Sequence, residues 1–145
     1  MTDSIGATPK ALQRAQVMTA LRAASNKTGV DFDYLVKTAQ RESNFDPSAK
    51  ASTSSATGLF QFTSETWLNV LDRYGAKHGV KTDGLSRDEL LNMRKDASLS
   101  AAMAGELAGE NGKILARKLG REATTAELYT AHFMGPRDAA RLITA

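Results

Sequence analysis

The segment from residue 31 to 43 carries a clear helical pattern and lies between two breaks. Its apolar residues recur at the spacing that gives a helix one apolar face, namely at Phe32, Leu35, Val36 and Ala39. Gly29 ends the preceding segment, and Asp31 can cap the new helix. Pro47 follows, and the residue before a proline avoids helical backbone angles. The pattern therefore predicts a short amphipathic helix with defined ends.

Similar patterns run through the rest of the chain. Only three of the 145 residues are proline and 6% are aromatic, which favours helices over sheet. Ser86 and Glu89 have the spacing of a capping box. The further helices are predicted at about 9–24, 64–78, 96–118, 124–133 and 137–144. Alanines and other small residues make 96–118 the expected central strut. We expect a single all-α domain, 1–145, with room for a short hairpin in the loop after Glu42.

Composition narrows the chemistry. The chain has no cysteine, which excludes disulfides, thiol catalysis and cysteine-ligated metals. His78 and His132 lie far apart and form no helical ligand pair, so we expect no metal and no cofactor. The net charge of +3 permits a polyanionic partner, but a solvated surface explains it equally well. No basic cluster is interleaved with aromatic residues, so nucleic acid is not expected as a partner.

The beginning of the chain bears on location. "MTDSIGATPK" has no positive region followed by an apolar stretch, which is the pattern of a signal peptide. No window approaches the length of a membrane span. The expected alternatives are a cytosolic protein, export by another route, and a leader already removed.

Glu42 occupies an unexpected face of the helix at 31–43. It lies seven residues after Leu35, so it falls on the apolar stripe two turns further along. Partial desolvation of a carboxylate disfavours its charged form, and a protonated carboxylic acid is what a general acid supplies. A glutamate at a helix end can also swing into solvent or pair with a lysine. Helix geometry alone leaves both interpretations open.

The residues that follow Glu42 resemble a known family. "ESNFDPSAKASTSSATGLFQF" is similar to the core motif of the soluble lytic transglycosylases, which share a goose-type lysozyme-like fold. In that family a helix ends in Glu-Ser, and a Phe-x-Pro-x-Ala segment, a small-residue loop and Gly-Leu-x-Gln follow. The corresponding residues here are Glu42, Ser43, Phe45, Pro47, Ala49, Gly58, Leu59, Phe60 and Gln61.

The resemblance implies an activity. Glu42 would be the single catalytic acid/base at the β-1,4 bond between N-acetylmuramic acid and N-acetylglucosamine in peptidoglycan strands. It would protonate the glycosidic oxygen and then accept the proton of the muramic acid C6 hydroxyl, closing a 1,6-anhydro ring. The substrate's acetamido group would meet the charge at C1. The resemblance also implies a monomer acting in the periplasm, with flagellar, secretion-system or phage components as candidate partners.

The resemblance suggests substrate contacts as well. Ser43 would orient a sugar, although a hydrogen bond at the helix end is an equal alternative. Gln61 offers donors and acceptors suited to an amide or hydroxyl. Phe60 and Phe62 could each face a sugar ring, and alternation predicts that only one faces the cleft; Phe60 is the candidate. Trp67 is better explained as a core anchor.

The family's third motif, Ala-Tyr-Asn-Ala-Gly, is altered in this chain. The corresponding stretch is "YTAHFMGP", with His132 at the tyrosine position and Phe133 at the asparagine position. Tyr129 lies about one turn before His132 and could supply the missing hydroxyl. Both Tyr129 and His132 are therefore candidate substrate-binding residues, and His132 could instead be an ordinary core histidine.

Three other functions remain open from the sequence. A muramidase-type hydrolase would need a base to activate water, and Asp46 or Glu65 could serve. Asp46 is better explained by turn formation before Pro47, and Glu65 by the helix dipole. A non-catalytic peptidoglycan-binding scaffold of an envelope-spanning machine would have no need of Glu42 on an apolar face. A helical nucleic-acid-binding domain rests only on the charge.

Overall fold

Helices are the regular elements of residues 8–145, the part of the chain that the computed structural model describes. The α helices are α1 Pro9–Thr28, α2 Phe32–Ser43, α3 Ser64–Tyr74, α4 Arg87–Asn92, α5 Ala97–Leu119, α6 Thr125–Met134 and α7 Pro136–Thr144. Single 3₁₀ turns lie at Ala76–His78 and Met93–Lys95. No strand occurs within the described residues, so the all-α prediction is confirmed. Residues 1–7, which carry most of the signal-peptide argument, lie outside the described residues.

The ends of the helices follow local capping chemistry. The Ser86 side chain accepts from the Glu89 amide at 3.1 Å, and the Glu89 carboxylate accepts from the Ser86 amide at 2.9 Å. The predicted capping box is thereby confirmed. Thr124 and Glu127 form a second capping box at the start of α6. These caps fix where α4 and α6 begin.

The end of α1 differs from the prediction. α1 continues past the predicted Ala24 to Thr28. The polar residues that suggested a break remain helical, and the Thr28 hydroxyl donates to the Ala24 carbonyl at 2.8 Å. Gly29 then ends the helix with φ of 79°, a left-handed conformation that favours glycine.

α3, in contrast to α1, ends earlier than predicted. The helix stops at Tyr74, and Ala76–His78 forms a 3₁₀ turn. His78 is held by its Nε2, which lies 2.7 Å from the Glu106 carboxylate of α5. The contact with α5 therefore replaces the last predicted turn of α3.

The strut predicted at 96–118 is α5, and its small residues allow close packing. α5 makes its most extensive contacts with α1. A Cβ added at Gly105 would meet Thr28 Oγ1 of α1 at 2.5 Å. Only glycine fits this crossing without a shift. Trp67 of α3 is fully buried in the same core, and its indole N–H donates to the Leu90 carbonyl at 2.8 Å, which confirms it as a core anchor.

The loop between α2 and α3 contains less sheet structure than a hairpin. Two isolated antiparallel bridges, Lys50 with Thr57 and Thr57 with Phe62, are its only bridges. Arg94 braces the loop from the other side, because its guanidinium donates to the carbonyls of Ser55 at 2.6 Å and Phe62 at 2.9 Å. The loop is therefore held by a buried arginine, where the predicted hairpin would have used paired strands.

A second, smaller core lies where α5, α6 and α7 meet. Its buried residues are Leu115, Ala131, Ala139 and Ala140. This cluster packs α6 and α7 against α5. Within residues 8–145, none of the helices combines the length and apolar character needed to cross a membrane.

Candidate active site

Glu42 lies in the last turn of α2, and the chain turns sharply just after it. Asn44 and Phe45 follow with φ of 51° and 65°. Successive left-handed residues other than glycine are costly and persist where their surroundings hold them. Phe45 is buried, which fixes the turn against the core. Glu42 is half-buried, as its place on the apolar stripe predicted.

Glu42 opens into a cavity of about 270 Å³, here called the Glu42 cavity. Its lining comes from the end of α2, the loop, the start of α3, one turn of α5 and the end of α6. The lining residues are Glu42, Ser54, Ala56, Gln61, Phe62, Thr63, Thr66, Leu107, His132 and Phe133. Glu42 is its only carboxylate among the described residues.

Ser43 is engaged in holding the backbone. Its hydroxyl lies 2.8 Å from the Leu59 carbonyl and 3.1 Å from the Ala39 carbonyl, and it accepts from the Asp46 amide at 3.2 Å. It lies in a shallow pocket with Asp46, apart from the Glu42 cavity. The arrangement favours the helix-end alternative, and substrate contact by Ser43 stays a prediction.

Gln61 lines the Glu42 cavity and also ties the loop together. Its Nε2 donates to the carbonyls of Gly58 at 2.9 Å and Ala49 at 3.1 Å. Both amide hydrogens are thereby directed at backbone, so a substrate contact would use the side-chain carbonyl oxygen. Contact between Gln61 and substrate stays a prediction.

The expected substrate contact of Phe60 needs correction. Phe60 is 0% exposed and Phe62 is 2% exposed, so both rings belong to the core. Gln61, between them, has a left-handed φ of 53°, so the segment is not an extended strand and does not follow the alternation of one. The edge of the cavity is formed by Phe62, and Phe60 contributes only its backbone carbonyl to the site.

That carbonyl is the partner of His132. His132 Nε2 lies 3.0 Å from Phe60 O, and the imidazole makes edge contacts with the rings of Phe60 and Phe62. Because a carbonyl can only accept, Nε2 carries the proton. Burial lowers the pKa of His132, while the hydrogen bond to Phe60 and the charge of Glu42 oppose the shift. His132 therefore presents a neutral ring to the cavity.

Tyr129 lies on the Glu42 side of α6. Burial raises the pKa of its hydroxyl, and the nearby Glu42 carboxylate raises it further. The Arg41 guanidinium lies 4.6 Å from the centre of the Tyr129 ring. The hydroxyl is thus kept protonated beside the candidate acid, and Tyr129 and His132 approach the site together.

Two aromatic residues near Glu42 were not predicted to belong to the site. Tyr34 is buried, and burial together with the nearby charge of Glu42 raises its pKa to about 12, although a hydrogen bond with Thr38 opposes the shift. Its position eight residues before Glu42, on the same helical face, could have revealed it. Phe133 lines the cavity and is 71% exposed. Its place at the asparagine position of the third motif could have indicated that Phe133 lies at the site.

The match to known families agrees with the motif. The family model described as transglycosylase SLT domain matches residues 19–117, more than half of the chain. The chain belongs to this SLT family. Its members cleave glycosidic bonds in peptidoglycan, so peptidoglycan is the substrate class. The match contains Glu42, Ser43, Phe60 and Gln61 and ends before α6, so it excludes Tyr129 and His132.

Two further acids of this SLT domain were candidates for a water-activating base. Asp46 is committed to a turn, because its Oδ1 accepts from the Ser48 amide at 2.9 Å. Glu65 lines a different groove with Leu68 and Asn69. Neither carboxylate lines the Glu42 cavity.

Proposed function

We propose that this SLT domain is a lytic transglycosylase that cleaves the β-1,4 bond between N-acetylmuramic acid and N-acetylglucosamine, with Glu42 as its single acid/base. The observation that carries the proposal is that Glu42 is the only carboxylate lining its cavity, within residues 8–145. Glycosidases that use two carboxylates place both beside the scissile bond. A site with one carboxylate suits a reaction in which groups of the substrate itself take the place of the second carboxylate.

The proposed reaction needs no water. Glu42 donates its proton to the glycosidic oxygen as the bond to C1 breaks, and the acetamido group of the muramic acid stabilises the charge at C1. The Glu42 carboxylate then accepts the proton of the C6 hydroxyl, whose oxygen bonds to C1 and closes the 1,6-anhydro ring. Glu42 ends the cycle protonated, as it began. General acid–base steps of this kind contribute about 10²–10⁴-fold.

The α6 residues support this role of Glu42. The Tyr129 hydroxyl, whose pKa is raised by burial and by Glu42, stays protonated and can donate to the carboxylate after the first proton transfer. His132 is neutral and anchored on Phe60 O, so it brings no second charge beside Glu42. We therefore assign Tyr129 a positioning role toward Glu42 and His132 a structural role in the cavity wall.

The experiment that tests the proposal is mass spectrometry of purified peptidoglycan digested with wild type and with Glu42→Gln. We expect wild-type products lighter by one water than reducing-end muropeptides, and a rate lower by about 10²–10⁴-fold in the variant. Glu65→Gln is the matched control, since it makes the same change outside the cavity. Reducing-end products would identify a hydrolase, and undiminished activity in Glu42→Gln would exclude Glu42 as the acid.

The place of action follows from the substrate. We propose that the protein works as a monomer on the cell wall in the periplasm, opening glycan strands for a flagellar, secretion or phage assembly. Membership of a family that acts on peptidoglycan supports the wall as its place of work. Cell fractionation would test this, and a protein found only in the cytosol would contradict it.

A further inference from the structure

A groove between the end of α5 and α7 concentrates positive charge. Its volume is about 560 Å³. The lining residues of this α5–α7 groove are Ile114, Arg117, Lys118, Arg137, Ala140, Arg141 and Thr144. Four of them are cationic and none is acidic. Ile114 and Ala140 contribute apolar surface to the same lining.

This concentration is large for the protein. The whole chain has a net charge of +3, so the four cations of the groove exceed it and the remainder is close to neutral. Arg141 is paired with Asp138 at 3.0 Å. Arg117, Lys118 and Arg137 make no ion pair within residues 8–145. The groove therefore presents uncompensated cations to solvent.

Helix dipoles explain only part of the pattern. Arg117 and Lys118 lie in the last turn of α5, and Arg141 lies in the last turn of α7, where cations are favoured. Arg137 is different, because it directly follows Pro136 in the first turn of α7. A cation there opposes the dipole of its own helix. An anion bound in the groove would offset that cost.

The groove and the Glu42 cavity lie along one face of α5. Leu107 lines the cavity and Ile114 lines the groove. Seven residues of helix return to nearly the same face and advance about 10.5 Å. A polymer that occupies the cavity and extends along α5 would reach the groove.

We propose that the α5–α7 groove binds the carboxylates of the peptide stems carried by the glycan strand in the Glu42 cavity. This inference rests on the proposed function for the identity of the strand. Guanidinium groups match carboxylates through paired hydrogen bonds, and two arginines without an ion pair, Arg117 and Arg137, supply them. The groove thereby favours peptide-bearing strands over bare glycan.

The test compares two probes, soluble peptidoglycan strands with their peptides and the same strands after an amidase has removed them. Binding is measured by calorimetry in the Glu42→Gln background, so that no turnover is needed. We expect Arg117→Gln/Arg137→Gln to weaken binding of the peptide-bearing strand about fivefold, with the loss shrinking at high salt. Binding of the bare strand should not change. Arg87→Gln/Lys95→Gln is the control, since both residues are exposed cations outside the groove.

The outcomes separate this inference from the proposed function. An equal loss for both probes, no loss, or no measurable binding of the peptide-bearing strand would overturn the inference. Duplex DNA serves as a third probe. If the groove variant loses binding to DNA but keeps binding to the peptide-bearing strand, the groove binds another polyanion and the inference is overturned. If wild type releases no anhydro products but the groove variant still loses peptide-dependent binding, the proposed reaction fails and the groove assignment stands. Thermal melting of each variant checks that it folds.

Discussion

The two sides of the Glu42 cavity are built in different ways. One side, from Glu42 through the loop to Thr66, lies inside the SLT match. The other side is the end of α6, which lies beyond it. On the loop side, the polar side chains mostly hold backbone carbonyls. On the α6 side, the side chains lie next to Glu42 or are exposed to solvent.

The contrast between the two sides indicates what the motif preserves. Ser43 and Gln61 are prominent in the motif, and in this structure both direct hydrogen bonds at loop carbonyls. Their effect is to place Glu42 and to shape the cavity. The α6 side instead carries Tyr129, His132 and Phe133, at or beside the altered third motif. His132 donates to the loop carbonyl of Phe60, whereas Tyr129 and Phe133 hold no loop carbonyl. Substrate selectivity is therefore more open to change at Tyr129 and Phe133.

The largest effect should follow from breaking the loop side at Arg94. Arg94 is 8% exposed and donates to the carbonyls of Leu91, Ser55 and Phe62. Arg94→Met keeps the apolar stem and removes all three of these hydrogen bonds, so that Ser55 O and Phe62 O keep only the hydroxyl and the amide of Thr57 as donors. We expect a loss of about 3 kcal/mol in the free energy of unfolding, measured by denaturant titration.

The control for Arg94 is Arg87→Met, at an exposed position of α4. It should change the free energy of unfolding by about 0.5 kcal/mol or less. If Arg94→Met were as stable as this control, the loop would be held by other contacts and the contrast between the two sides would fail.

On the α6 side, Tyr129→Phe should lower kcat about tenfold with little change in KM, because it removes a hydroxyl that can donate to the Glu42 carboxylate during the reaction. In the wild type, burial and Glu42 raise the pKa of Tyr129, so its hydroxyl should remain protonated at neutral pH. Steady-state kinetics on soluble glycan strands measure both constants. Tyr74→Phe is the matched control, since its hydroxyl donates to Glu110 at 2.7 Å outside the cavity. Equal kcat in the two variants would remove Tyr129 from the site.

Phe133→Ala should act on binding alone. The ring is 71% exposed and lines the cavity, where it can lie against a sugar ring. Losing such a face should raise KM about fivefold and leave kcat unchanged. Leu12→Ala provides the control, because Leu12 is 53% exposed on α1 and does not line the cavity. A fall in kcat instead would mean that Phe133 shapes the reacting geometry.

The sequence predicted elements whose signals are local. Helical spacing, the capping box at Ser86 and the place of Glu42 on the stripe were readable because each depends on residues a few positions apart. Phe60 was misassigned because the left-handed conformation of Gln61 depends on hydrogen bonds to Ala49 and Gly58. Local patterning does not contain such contacts. The proximity of Tyr34 to Glu42 could have been predicted from helical spacing, because both residues lie on α2.

The smallest effect should come from His132, through the pH dependence of stability. Burial lowers its pKa in the folded protein, against an ordinary value of 6.5. Below pH 6.5 the unfolded chain therefore binds a proton that the folded chain resists, so stability falls as the pH drops through this window. His132→Gln keeps a donor for Phe60 O and removes the titration. We expect its melting temperature to fall less than that of wild type between pH 7 and pH 5. Parallel curves would show that His132 accepts a proton without cost, and the α6 side would then be less tightly packed than its contacts with Phe60 and Phe62 indicate.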